Sequence, residues 1–166
     1  ESLVGVEVTH HLLGTLVAEL EVVLLGADVV GVALDLDVHI LVAPKLSVSE
    51  GHHISETVEK MLIDSFDTIN DVTVHIDPED DEFASPCTHL PLRDEILRRL
   101  EAQWQSLEPP PQVEKIILHY LDGKAHVEVY LPLPNATHQE LQALARAVAD
   151  AARQAQDIGD VQVYFG

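Results

Sequence analysis

The chain has 166 residues and a formal net charge of -20, from 29 acidic and 9 basic side chains. That length holds two compact domains of about 80 residues, each near the lower limit for an independent core, and the acidity makes nucleic acid an unsuitable partner. The single cysteine, Cys87, excludes an internal disulfide and favours a reducing compartment, and the longest uncharged apolar stretch falls well short of the roughly 20 residues that cross a bilayer.

No signal peptide is visible, so the chain as it stands is expected to be soluble. Its first 34 residues include His10 and His11, and one reading of them makes Leu12 to Leu25 a helix and puts the first strand at Asp28 to Leu34. Beyond them Leu36 to Val42, LDVHILV, alternates as a strand does. Ser49 to Asn70 then places Ile54, Val58, Met61, Leu62 and Phe66 at helical spacing, one buried face. DVTVHID, Asp71 to Asp77, is again a strand.

A Pro-containing acidic connector over 79–91 divides the chain into a first module, 1–78, and a second, 92–166. Leu92 to Leu107 reads as a helix with Trp104 as an anchor on the second sheet, and Pro109 to Pro111 ends it. Val113 to Tyr120 and Lys124 to Leu131 form a hairpin about Leu121-Asp122-Gly123, with Asp-Gly as the turn signal. His138 to Gly159 is a helix with Leu141, Leu144, Ala145, Val148, Ala151 and Ala152 on one face. The order helix, strand, strand, helix, strand predicts an α+β fold, with two ferredoxin-like modules in tandem.

The last seven residues, DVQVYFG, repeat the frame of DVTVHID at an offset of 89 residues, with tyrosine in place of His75. Upstream, His39 is answered by Tyr130. Tyrosine keeps the bulk of histidine but is a poor zinc ligand at neutral pH, so the second module reads as the first without its metal-binding side chains. Charge follows the same division: residues 1–86 carry 18 acidic and 2 basic side chains, residues 87–166 carry 11 and 7. A field of that sign concentrates cations and makes paired copies repel until something positive sits between them.

His39 and His75 stand at the same phase of adjacent strands, Asp77 shares a face with His75, and His52 lies in the first turn of the intervening helix. Three imidazoles and a carboxylate suit zinc or another borderline divalent metal. The competing reading makes these histidines packed or solvent-facing strand residues. DPEDDE, Asp77 to Glu82, reads as a solvated connector, and Cys87 with His89 as incidental neighbours.

The strands and the helix opening LSVSEGHHIS, Leu46 to Ser55, resemble the cytoplasmic C-terminal domain of cation diffusion facilitator transporters, the cation efflux family. The resemblance runs from about Asp35 to Pro78 and implies that His39, His52, His75 and Asp77 bind metal at a homodimer interface; Gly5 to Leu12 echoes the family's first strand, which as the alternative to the helix reading would add His10. It further implies a partner transmembrane domain in the full-length protein, an inner or plasma membrane location facing the cytoplasm, and a degenerate second copy downstream. Zinc is the expected cation, with Fe2+, Mn2+, Co2+ and Cd2+ not separable by histidine count. No nucleophile, phosphate loop, dinucleotide fingerprint or H-E-x-x-H motif appears, so no enzyme is expected. The alternative is a non-transport ferredoxin-like module that binds a small ligand or a protein and uses its histidines structurally.

Overall fold

The computed structural model describes residues 4–7, 17–24, 34–80 and 83–166. The chain divides into two units, Glu1–Phe83 and Ala84–Gly166, and its content is α+β.

In the first unit, β1 (Val4–Glu7), β2 (Val17–Leu24), β3 (Leu34–Val42) and β4 (Ile69–Asp77) form one sheet in that order, with α1 (Val48–Ser65) between β3 and β4. The reading of Leu12 to Leu25 as a helix is overturned. Val17–Leu24 is a strand antiparallel to β3, with Leu20 opposite Ile40 and Val22 opposite Val38. Glu19-Leu20-Glu21-Val22 alternates with period two, and a neighbour of matching alternation supplies the hydrogen bonds that a lone helix would have made internally. The rival first strand at Asp28 to Leu34 lies outside the described residues except for Leu34, which opens β3. His10 and His11 also lie outside them.

β3 and β4 pair in parallel, and α1 provides the crossover such a pair requires. Leu36, Val38, Ile40 and Val42 of β3 alternate onto one face and close a core with Ile54 and Val58 of α1 and Val72 of β4. Val38 and Ile40 are fully buried, a burial that contributes about 1.5–3 kcal/mol for each side chain. The helix starts at Ser47, whose hydroxyl accepts from the Glu50 N–H at 3.2 Å. It ends at Ser65, short of the expected Asn70, because β4 already begins at Ile69.

The second unit runs α2 (Arg93–Trp104), β5 (Lys115–Leu121), β6 (Lys124–Leu131), α3 (His138–Ala152) and β7 (Ile158–Phe165), the helix, strand, strand, helix, strand order of the ferredoxin-like arrangement. β5 and β6 form the expected hairpin, with Asp122 and Gly123 at positive φ, 44 and 67°, and β6 pairs with β7 in parallel. Ile96, Leu100 and Trp104 of α2 meet Val127, Val129 and Val148 in its core. The Trp104 indole donates to the Val148 carbonyl at 3.0 Å, which satisfies its buried N–H. α3 begins with a reciprocal cap, the Thr137 hydroxyl accepting from the Glu140 N–H and the Glu140 carboxylate accepting from the Thr137 N–H.

Candidate metal site

The alternation that buries Leu36, Val38 and Ile40 turns Asp37 and His39 to the opposite face of the sheet, and the same holds for His75 and Asp77 of β4. Parallel pairing sets His39 directly across from His75. Their rings stack, with centroids 4.6 Å apart and planes 13° from parallel. Both remain open, with side-chain exposures of 46% for His39 and 48% for His75, so a ligand from outside can reach them.

Each ring has a carboxylate partner on the other strand. His39 Nδ1 lies 2.8 Å from Asp77 Oδ2, and His75 Nε2 lies 3.3 Å from Asp37 Oδ1. The two pairs run diagonally in opposite senses, because Asp37 precedes His39 by two residues and Asp77 follows His75 by two. The stacked imidazoles are therefore flanked by a carboxylate at each end. Asp37 is the member that sequence reasoning missed. Its signal was the same period-two rule that placed Asp77 beside His75, applied backwards along DVHI from His39.

His52 is elsewhere. It is carried by α1, on the layer packed against the opposite face of the sheet, next to Gly51, where an added Cβ would stand 3.5 Å from Ile76 Cγ2. Its Nε2 faces Glu56 Oε1 at 3.4 Å on the exposed side of the helix. It lines an open cavity of about 430 Å³ with Val42, Pro44, Val48 and Pro78. The crossover geometry that pairs His39 with His75 is what separates His52 from them, so three imidazoles and a carboxylate do not gather within the described part of one chain. Among the described residues, no group of three or more His, Cys, Asp or Glu side chains is arranged to hold a metal ion. The donor types suit a borderline divalent cation; one chain supplies them as a pair of imidazoles.

The corresponding place in the second unit is held by tyrosines. Tyr130 and Tyr164 are register partners on β6 and β7, stacked at 5.0 Å and 20°. The Lys115 ammonium sits 5.2 Å from the Tyr130 ring centre, a cation placed over an aromatic face. Glu128, two residues before Tyr130 as Asp37 is before His39, accepts from the Tyr130 hydroxyl at 3.1 Å. Cys87 and His89 stay in the connector, where the Leu90 N–H closes a turn on the Cys87 carbonyl.

Residues 29–79 match the family model described as cation efflux protein, cytoplasmic domain. The match takes in β3, α1 and β4 whole. No curated protein matches the chain. Among the described residues, no helix is long and apolar enough to cross a membrane.

Proposed function

We propose that the chain is a regulatory and dimerising part of a divalent metal efflux transporter, and that its first unit holds zinc, or a cation of like chemistry, between two copies. The observation that carries this reading is the exposed His39–His75 stack with its two carboxylates, in a segment matching the cation efflux cytoplasmic domain. Two imidazoles leave a tetrahedral cation short of ligands. A second copy supplies the remainder, and His52, presented on the outer side of the helix layer, enters from that copy. The cation offsets the repulsion between strongly acidic units and shifts an open dimer towards a closed one. In the full-length protein this change is passed to a transmembrane domain on the cytoplasmic side. The second unit keeps the fold and carries no metal.

Calorimetry with zinc tests this. Binding is expected in the micromolar range or tighter, with release of protons, because imidazoles coordinate in the neutral form. A double variant His39→Ala, His75→Ala should not bind. Equal zinc binding by both proteins would sink the assignment.

One observation favours a second reading, a module whose histidines are structural: both imidazoles already have carboxylate partners. In that case removing the histidines lowers stability and leaves zinc behaviour unchanged.

A further inference from the structure

Asp37 lies outside the ligand set that the family resemblance implies, yet its Oδ1 stands 3.3 Å from His75 Nε2. An ionised carboxylate has no proton to give, so the proton in each histidine–aspartate contact belongs to the ring. His39 therefore donates from Nδ1 to Asp77, and His75 donates from Nε2 to Asp37. A neutral imidazole carries one N–H, so the remaining nitrogen of each ring holds a lone pair. These are Nε2 of His39 and Nδ1 of His75, different atoms in two stacked copies of the same side chain.

We infer that Asp37 is a positioning residue which, together with Asp77, sets opposite tautomers in His39 and His75 and leaves Nε2 of the first and Nδ1 of the second each with a lone pair for cation binding. The cation half of this inference rests on the function proposed above; the tautomer half does not. Carboxylates that accept the second N–H of a metal-binding histidine fix its tautomer and ring orientation and raise its basicity. The diagonal arrangement explains why two carboxylates are used. In parallel pairing a single aspartate stands beyond one end of the stack, and the ring at the other end needs its own partner. The second unit differs on this point: Glu128, at the Asp37 position, accepts from Tyr130 on its own strand, Tyr164 donates to Gln162 Oε1 at 2.6 Å, and Gly166 stands where Asp77 would be.

Nitrogen-detected NMR of histidine side chains in the full, metal-free chain tests this directly. His39 is expected in the Nδ1–H form, the rarer one for free imidazole, and His75 in the Nε2–H form. In Asp37→Ala, His75 should lose its fixed tautomer while His39 keeps its own, and zinc affinity should fall about 10–100-fold. Asp37→Glu should restore part of both, and Thr73→Ala, in the same row of the sheet, should alter neither. The inference is overturned if both rings show one tautomer, or if Asp37→Ala leaves the His75 signals unchanged. Opposite tautomers in a chain that does not bind zinc would overturn the cation half and the proposed function, and would uphold the role of Asp37 in fixing His75.

Discussion

Tyr130 and Tyr164 stack at 5.0 Å across β6 and β7 in the register that His39 and His75 occupy at 4.6 Å across β3 and β4. The same backbone frame accepts either pair of rings on its open face. Replacing both histidines by tyrosine (His39→Tyr, His75→Tyr) should therefore leave circular dichroism and the unfolding midpoint of the first unit nearly unchanged. Zinc binding should be lost, because phenols at neutral pH are poor ligands. Unfolding of this variant would show that the two positions serve the core.

Trp104 is the single tryptophan, 3% exposed, and its indole N–H is held by the Val148 carbonyl. Trp104→Ala leaves a large void between α2 and α3 and should cost about 3–5 kcal/mol. Denaturant unfolding of the variant, followed by circular dichroism, measures the loss. A cost under about 1 kcal/mol would contradict the packing described.

Gly159 is required by its neighbour. A Cβ there would stand 2.9 Å from His126 Cε1, and the His126 ring is anchored by accepting from the Asp160 N–H at 3.1 Å. Gly159→Ala must displace the ring or the strand, with an expected cost of about 1–3 kcal/mol. The paired change His126→Ala, Gly159→Ala should recover part of it, as thermal unfolding of the three variants would show.

The Ser85 N–H donates to Asp122 Oδ1 at 3.0 Å and holds the Asp122 carboxyl below the usual carboxylate range. A carboxyl lowered in the folded state stabilises that state above its unfolded pKa, about 3.9 for aspartate. The contribution fades as pH falls through the lower folded value. A carbon-detected NMR titration should therefore give Asp122 a midpoint below the ordinary aspartate value, and the Ser85 amide signal should move with it. A midpoint at or above that value would contradict the contact.

The β-α-β part of each unit was legible because its signals are local. LDVHILV and DVTVHID alternate, α1 and α3 have clear apolar faces, and Asp122-Gly123 supplies a turn that few other residues permit. Helix ends were overrun at Asn70 and Gly159, since apolar spacing continues into the next strand and helix termination here depends on where β4 and β7 must begin. β2 was harder. Val17–Leu24 is rich enough in Leu, Ala and Glu to pass as a helix, and only its pairing with β3 decides otherwise. For the site, alternation placed His39, His75 and Asp77 on one face. It gave no layer to His52, because a helical position shows which way it faces only once the side of the sheet covered by the crossover is known. Asp37 was missed although its position obeys the rule that found Asp77.

The most direct test of the central claim is small-angle scattering from the full chain across a zinc titration. The account predicts that zinc compacts a dimer, or draws monomers into one, with saturation at a fixed metal-to-chain ratio, and that the His39→Ala, His75→Ala variant shows no change. Superimposable curves with and without saturating zinc would contradict it.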